Sequence, residues 1–502
     1  MKHMKKLVSV LLTMVMVFAM TATVFAEETT YSITINNSAE GHTYEAYQIF
    51  TGDLSGTTLS NIVWGFGVSE AGKTALGDAA AKAKTLEEEA DAKAFAKAVA
   101  PYLTTAAGSA STVTDGKYVI SGLTAGYYLV KDQDGSLTGD NDSYTEYIVK
   151  VVSNTTATPK SDVPEVQKKV KDINNSTETA MTDWQDSADH DIGDSVPFQL
   201  KATLANNVSS YTTYKVVFHD TQSKGLTYNN DAKVYIDGEK TDGFTVTATV
   251  NADGTTTLTV SCDDVKALGA VNSSVITVEY TATLNANAVL GSAGNPNEVY
   301  LEYSNNPNKS ESGNNETGNT PKDVVIVFTY KTIINKVTKN PDYDPKVEGS
   351  EEYIPLTGAE FTLEKYNKET NEWKAITAVK NDEGTTFTFS GLDDGKYRLT
   401  ETKTPAGYNT IAPIEFTVTA EHDVLSDNPA LTSLSGEATT GEITFTPKTT
   451  EGSLSADVVN KTGSTLPETG GMGTTIFYVL GSILVLGAAV LLITRKRMGA
   501  QR

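Results

Sequence analysis

Hydrophobic and polar positions along the chain follow two periods. Most of the sequence alternates every two residues, in short runs rich in Val, Ile, Thr and Tyr such as 117–120, 127–130 and 147–152. Because side chains on a strand alternate between its faces, these runs predict β-strands. Between residues 69 and 103 the apolar positions instead recur at helical spacing, and Pro101 ends the pattern. This stretch predicts one or two helices inserted in a β domain.

Breaks in the strand pattern divide the chain into domains. Residues 154–164 are rich in Thr, Pro and Ser and indicate a linker. After them the chain is almost purely β, with turn pairs such as Asp237-Gly238 and Asp253-Gly254. Short strands at regular intervals predict β-sandwiches of the immunoglobulin type, so the fold class is mainly β with a helical insertion in the first domain. The predicted domains are 27–160, 161–329 and 330–463.

A predominantly apolar run without charged residues lies near each end of the chain. Residues 7–20 follow three lysines and precede Val24-Phe25-Ala26, which predicts a secretory signal peptide over residues 1–26. That run is short for a membrane span. Residues 475–494 are long enough to span, and the basic tail at 495–497 is typical of the cytoplasmic side. The sequence therefore predicts an exported protein with a C-terminal transmembrane helix.

Composition and charge restrict the partners. The 502 residues include 40 basic and 63 acidic ones. The two ends expected to be removed hold seven basic residues and no acid, which leaves 33 basic against 63 acidic residues and a net charge of −30. Such a surface repels nucleic acid and anionic lipid. Cys262 is the single cysteine, so no intramolecular disulfide can form and an exported protein needs another means of stabilisation.

Several polar residues occupy strand positions where the alternation calls for an apolar side chain. Each of two domains offers a lysine, an acid and an asparagine in the core phase. The two sets are Lys168, Asp220 and Asn297, and Lys336, Glu401 and Asn460. Strand phase favours Lys168 over its neighbour Lys169. An isolated buried charge is costly, so residues of this kind in one core predict a reaction that removes the charges.

The expected reaction is an amide exchange. Desolvation lowers the pKa of a buried lysine and raises that of a buried acid, so a neutral amine can meet a protonated carboxyl. The amine attacks the asparagine side-chain carbonyl, the acid polarises that carbonyl, and ammonia leaves. The product is an uncharged isopeptide bond, formed once and without turnover, and the fold supplies the proximity. The alternative is an ordinary set of solvated surface residues.

These residues carry a resemblance to a known family. Residues 397–408, Tyr-Arg-Leu-Thr-Glu-Thr-Lys-Thr-Pro-Ala-Gly-Tyr, resemble the E-box of Cna-B-type domains in the shaft pilins of Gram-positive bacteria. Residues 218–220 and 297–307 resemble the middle domain of the same pilins, in which an Asp is the acid. The resemblance implies tandem Cna-type domains with internal Lys–Asn isopeptide bonds. The first domain has Thr34 where a reactive lysine is needed, so we predict no bond there.

The C-terminal region adds a second resemblance. Leu466, Pro467, Glu468, Thr469 and Gly470 precede the apolar run and the basic tail, and this order resembles the cell-wall sorting signal of sortase substrates. In that family the enzyme cuts between the Thr and the Gly, here Thr469 and Gly470, holds the Thr carbonyl as a thioester and passes it to an amine.

The amine acceptor is predicted from the same family. Shaft pilins use a lysine that follows proline at the end of the first domain, and Thr158-Pro159-Lys160-Ser161 stands at that place. The family usually has an aromatic residue before the proline and Asn after the lysine, which this chain lacks. Lys160 is the predicted acceptor, and an ordinary linker lysine is the alternative. Thr469 joined to Lys160 of the next copy gives an open, head-to-tail filament.

The resulting hypothesis is a structural protein, the major subunit of a covalent surface pilus. Its expected partners are other copies of itself, a sortase, and peptidoglycan or a base pilin, while tip or minor pilins and host ligands stay open. The competing hypothesis is a monomeric wall-anchored adhesin whose Thr469 goes directly to peptidoglycan. An extracellular enzyme is disfavoured, and neither cofactor nor metal is predicted. The acidic loop at 132–142 lacks the spacing of a calcium-binding EF-hand loop.

Overall fold

The computed structural model describes most of the chain between residues 29 and 463. The described residues are 29–86, 88–137, 141–159, 162–311, 313, 316–377, 379–381, 383–463, 480 and 484–486. They form two compact units. The first contains residues up to 170 together with 195–283 and 296–325, and the second contains 171–194, 284–295 and the chain from 326 onwards. The finer division into three domains stays a prediction.

Strands dominate the described residues, which confirms the mainly β fold class. In chain order they are β1 Tyr31–Asn36, β2 Tyr44–Ser55, β3 Thr58–Trp64, β4 Gly108–Ala110, β5 Lys117–Leu123, β6 Gly126–Asp132, β7 Glu146–Val151, β8 Thr155–Ala157, β9 Glu165–Val170, β10 Ser187–Asp189, β11 Ser195–Thr203, β12 Val216–Gln222, β13 Leu226–Tyr228, β14 Lys233–Ile236, β15 Glu239–Thr241, β16 Thr245–Val250, β17 Thr256–Cys262, β18 Val275–Leu284, β19 Asn295–Ser304, β20 Thr317–Asn319, β21 Asp323–Phe328, β22 Tyr330–Lys339, β23 Tyr353–Pro355, β24 Glu360–Asn367, β25 Glu372–Ile376, β26 Val379–Lys380, β27 Thr386–Leu392, β28 Gly395–Lys403, β29 Ile414–His422, β30 Leu431–Ala438, β31 Thr446–Lys448 and β32 Ser453–Asn460.

The predicted helical insertion is present and consists of three α-helices rather than one or two. They are α1 Glu70–Leu76, α2 Ala79–Lys84 and α3 Glu89–Val99, followed by a 3₁₀ turn at Ala100–Tyr102. The extra break has a local cause. Gly77 ends α1 with a positive φ of 83°, which glycine adopts readily, and the Asp78 carboxylate then caps α2 by accepting from Ala81 N.

In the first unit the stretch before the linker forms two sheets. One has the order β3-β2-β6-β7 with β4 beside β2, and the other has the order β5-β1-β8. Alternate residues of β1 and β5, such as Ile33, Ile35 and Ile120, fill a core between strands. A second core cluster places Phe50 against Phe95 of α3, so the helices cover the other face of β2.

The part of the first unit after the linker forms two further sheets. Their orders are β15-β14-β18-β11-β9, with β13 beside β18, and β21-β19-β12-β17-β16, with β20 beside β19. The predicted turn at Asp237-Gly238 joins β14 to β15, and both residues have positive φ, at 50° and 86°. This backbone is that of a two-residue type I′ hairpin turn.

The second unit holds one core between two sheets. These have the orders β26-β27-β22-β32-β31 and β25-β24-β28-β29-β30. Strands β22 and β32 pair in parallel over eight residues, so the start and the end of this part of the chain lie side by side. Buried side chains from both sheets, including Ile334, Phe387, Tyr397 and Leu399, fill the space between them.

Candidate crosslinking sites

The first group of predicted reactive residues lies inside the first unit. Lys168 is on β9 in one sheet, while Asp220 on β12 and Asn297 on β19 belong to the facing sheet. Each of the three side chains points inward because it has the core phase of its strand, and each residue is 0% exposed. Lys169, the alternative lysine, is partly exposed on the other phase of β9.

A tyrosine hydroxyl connects the three groups. Lys168 Nζ forms an ion pair with Asp220 Oδ2 and also donates to Tyr280 Oη at 3.1 Å. Tyr280 Oη in turn donates to Asp220 Oδ1 at 3.0 Å and accepts from Asn297 Nδ2 at 2.8 Å. Amine, acid and amide thus meet around one buried hydroxyl.

The surroundings of this group disfavour charge. Lys168 Nζ is fully buried, and although the rings of Phe198 and Tyr280, with centroids 5.4 Å away, attract an ammonium, the loss of water around it opposes the charge. Burial lowers the pKa of Lys168 and, despite the opposing effect of the ammonium, raises the pKa of Asp220. Both shifts favour the neutral amine and the protonated carboxyl. Asn297 Oδ1 is buried and accepts no hydrogen bond from the described residues, so its carbonyl is available to an acid proton.

The second group lies inside the second unit and has a different layout. Lys336 and Asn460 are on the neighbouring parallel strands β22 and β32, and Glu401 comes from β28 in the facing sheet. Asn460 is opposite Thr338, which is two residues from Lys336 and on the same face. Lys336 and Asn460 are 0% exposed and Glu401 is 5% exposed.

Contacts in the second group link the lysine and the asparagine to the glutamate. Lys336 Nζ is 3.6 Å from Glu401 Oε1 and donates to Val458 O at 3.0 Å. Asn460 Nδ2 donates to Glu401 Oε2 at 3.2 Å and to Asn409 O at 2.7 Å. Burial, opposed by the nearby Glu401 carboxylate, lowers the pKa of Lys336 to about 8. Asn460 Oδ1, like Asn297 Oδ1, is buried without a hydrogen-bond partner among the described residues.

The predicted first domain contains a buried acid without a lysine. Asp132 is 2% exposed, its Oδ1 is 2.7 Å from His42 Nδ1, and its Oδ2 accepts from Thr145 N at 2.7 Å. Thr34 is half-buried on β1. No lysine is buried among the described residues between 29 and 159. Both oxygens of Asp132, the first acid of the loop at 132–142, are therefore occupied by protein groups.

Several predicted sites fall on parts of the chain that the structure does not describe. The acceptor Lys160, the sorting signal at 466–470 and the signal peptide at 1–26 lie outside the described residues, and so does most of the predicted span at 475–494. Throughout the described part of the chain, no helix has the length and apolar character needed to cross a membrane.

Sequence reasoning missed the residues that join the reactive groups together. Tyr280 has an ordinary alternating position on β18, and Asn409 contributes a backbone carbonyl from a loop. Gln222, which pairs across the strands with Asn297 and donates to Asp220 Oδ1 at 3.5 Å, shares the core phase of β12 with Asp220. That shared phase was the one signal that could have identified it.

Three family models match separate parts of the chain. The Gram-positive pilin backbone subunit 2, Cna-B-like domain matches residues 192–307, and a prealbumin-like fold domain matches 346–428. The LPXTG cell wall anchor motif matches residues 458–498. The chain belongs to the backbone pilins of Gram-positive bacteria. Such a pilin is a major pilus subunit at the cell wall and a sortase substrate, as its anchor motif implies.

Relatives of this pilin agree with the assignment. The trypsin-resistant surface T6 protein of Streptococcus pyogenes serotype M6 is 25% identical over 451 residues, which are 76% of this chain and 77% of that protein. The solved structure of the T6 backbone pilin of the same serotype has 18% sequence identity and a TM-score of 0.55, and the match covers 87% of this chain and 99% of that one. This similarity shows a shared fold.

Proposed function

We propose that this pilin is polymerised head to tail, with Thr469 of one subunit joined to Lys160 of the next, and that two internal isopeptide bonds stabilise each subunit. The bonds are Lys168–Asn297, with Asp220 as acid, and Lys336–Asn460, with Glu401 as acid. The last subunit is joined to peptidoglycan or to a base pilin. The observation that carries the internal bonds is the burial of each amine beside its acid and its asparagine.

Each internal bond forms by the same balanced step. The neutral amine attacks Cγ of the asparagine, and the acid gives a proton to the carbonyl oxygen that becomes negative. The acid then takes a proton from the attached amine and passes it to Nδ2, so the Cγ–Nδ2 bond breaks and ammonia leaves. As the C=O bond re-forms, the proton on its oxygen returns to the acid, and an uncharged amide remains. The buried asparagine oxygens without hydrogen-bond partners support this route, because an acid proton is the donor they lack.

Polymerisation is a transpeptidation. Sortase breaks the peptide bond between Thr469 and Gly470, releases residues 470–502, and holds the Thr469 carbonyl as a thioester. The Lys160 amine then attacks that thioester, so one amide replaces another and the enzyme thiol is restored. Support for the acceptor comes from the strand before it: β8 pairs in parallel with β1, and Thr158 accepts from Asn36 Nδ2 at 3.3 Å. The backbone is thus fixed up to the residues just before Lys160.

A denaturing gel of wall extracts tests the polymer. We expect a ladder of high-mass species for the native chain and a collapse to monomer for Lys160→Ala. Lys150→Ala is the matched control, since Lys150 is an exposed lysine of the same predicted domain, and it should keep the ladder. A ladder that persists in Lys160→Ala excludes Lys160 as the acceptor. A single band for the native chain supports the monomeric wall-anchored adhesin instead.

The internal bonds have a separate measurement. For each subunit of the wall-released protein, the intact mass should fall short of the sequence mass, after allowance for the two processed ends and for the joints between subunits, by two molecules of ammonia. A deficit of zero, one or three contradicts the assignment of two bonds and none in the first domain. This result is independent of the gel, because crosslinks inside a subunit do not require polymerisation.

A further inference from the structure

Strand β16 is the free edge of a sheet in the first unit. Among the described residues it pairs with β17 alone, and all six of its residues are exposed. Val246 and Ala248 lie opposite Val260 and Leu258, which are fully buried, so the two residues continue the core-facing side of the sheet. Nevertheless, Val246 is 36% exposed and Val250, on the same side, is 73% exposed. The core-facing side of β16 therefore extends beyond the elements that cover the rest of its sheet.

This edge lacks the features that usually protect an edge strand. Soluble proteins place a charged residue, a proline or a bulge on such strands, since a bare edge can pair with another chain. Lysine or glutamate is present on β5, β7, β9, β15, β25, β26 and β30, proline is present on β23 and β31, and the register of β3 against β2 shifts. Of the edge strands longer than three residues that the structure describes, only β16, with the sequence Thr-Val-Thr-Ala-Thr-Val, has none of these features.

The absence of charge on β16 contrasts with the rest of the chain. A net charge of −23 makes copies of the protein repel one another over most of their surface. The nearest charged residues in the sequence are Asp242 and Asp253, which lie outside the strand, and Asp242 Oδ1 is 3.4 Å from Lys240 Nζ. Two copies that meet at β16 therefore bring no acid into the strand pair.

The order of side chains makes β16 complementary to a second copy of itself. In an antiparallel pair, residues directly opposite each other have their side chains on the same face. When Ala248 lies opposite Ala248 of a second copy, Val246 lies opposite Val250 of that copy, and Thr247 lies opposite Thr249. The apolar sides of the two strands then form one stripe, and the threonines pair on the other face. The outward-pointing backbone groups would form roughly four to six hydrogen bonds.

We propose that β16 is a lateral contact between pili, in which β16 of one subunit pairs antiparallel with β16 of a subunit in a second pilus. The contact goes beyond head-to-tail polymerisation, because it joins separate filaments without a covalent bond. A strand pair of six residues is only about 20 Å long, which is much smaller than the interface of a stable dimer. Single subunits should therefore stay monomeric, whereas contacts repeated along a pilus add up.

Charge-swap variants test both the contact and its register. Val246→Lys/Val250→Lys places lysines opposite each other in two copies, so the sedimented fraction of isolated pili should fall severalfold. Val246→Glu/Val250→Lys instead places each lysine opposite a glutamate, so these pili should sediment like native ones. The samples are pili released from the cell wall, and electron microscopy of filament width is the second readout. A denaturing gel should show the same ladder for every variant, which separates lateral contact from polymerisation.

The matched control is Val379→Lys on β26, because Val379 is 68% exposed on another edge strand, one that already contains Lys380. It should leave the association of pili unchanged. Equal melting temperatures of the native and variant proteins show that the substitutions at these exposed positions do not unfold the chain. Higher salt should strengthen the association of native pili, because it screens the repulsion between acidic subunits.

Three results would overturn the proposal. The first is native pili that stay dispersed at every salt concentration. The second is double-lysine pili that associate as native pili do. The third is dispersal of the glutamate–lysine pili along with the double-lysine pili, since that result excludes antiparallel pairing of β16 with itself.

Discussion

Replacement of Lys168 by methionine tests the middle crosslink with little change in packing. Methionine keeps an unbranched apolar chain beside Phe198 and Tyr280 but has no amine. Asp220 keeps its hydrogen bond from Tyr280 and, since burial raises its pKa, the acid can stay protonated. The variant therefore removes the bond without leaving a bare buried charge.

The expected loss of stability follows from the size of the ring that the bond closes. Residues 168–297 form a loop of 130 residues. By the chain-entropy relation for crosslinks, removal of a covalent bond that closes such a loop lowers the free energy of unfolding by about 5 kcal/mol. For a domain of 150–250 residues, that corresponds to a fall in melting temperature of roughly 10–20 °C.

Two assays on the same samples decide the outcome. Intact mass should show the loss of one ammonia molecule in Lys168→Met and of two in the native chain. Calorimetry should show a lower melting temperature for Lys168→Met than for the native chain. Lys169→Met is the control, because Lys169 lies on the other phase of β9. This variant should show the same ammonia deficit and the same melting temperature as the native chain. An unchanged mass deficit in Lys168→Met, or a reduced one in Lys169→Met, refutes the assignment of Lys168.

Three further outcomes are expected. Glu401→Gln keeps the shape of the acid but cannot protonate the amide, so its intact mass should show the loss of a single ammonia molecule. The loss of two, as in the native chain, would contradict the role of Glu401. Tyr280→Phe removes the hydroxyl that bridges Lys168, Asp220 and Asn297, so the middle bond should form about 10²- to 10³-fold more slowly in a refolding time course followed by mass. Because the pKa of Lys336 is lowered to about 8, roughly one hundredth of its amine is neutral at pH 6 and one tenth at pH 7. Because the Lys336–Asn460 bond needs this neutral amine together with a protonated acid, its rate of formation should pass through a maximum and fall at both lower and higher pH, and a rate that rises steadily with pH would count against the role of the acid.

Strand phase was sufficient to select the buried lysines, acids and asparagines that the structure brings together in each core. Lys168 and Lys336 sit where the alternation demands an apolar side chain, and a charged residue at such a position stands out in the sequence. The order of strands in each sheet was not predictable in the same way. Lys168 and Asn297 face each other across two sheets, whereas Lys336 and Asn460 lie on neighbouring strands, and only the pairing of β22 with β32 reveals that difference.

Residues that act through tertiary contact left no pattern in the sequence. Tyr280 is one of many tyrosines on alternating strands, and its hydroxyl is special only because three polar groups surround it. The third helix was missed because a single Gly-Asp pair was enough to end one helix and start the next.

The parallel pairing of β22 with β32 bears on how far a pilus can be stretched. A pull along the chain enters this part at Tyr330 and leaves it after Asn460, and a bond from Lys336 to Asn460 would transmit that pull after only a few residues. The 123 residues between Lys336 and Asn460 would then carry no tension as long as that bond is intact. Unravelled, they would add on the order of 400 Å per subunit. A filament built this way would have a nearly fixed length, and any extension under load would occur at the joints between subunits.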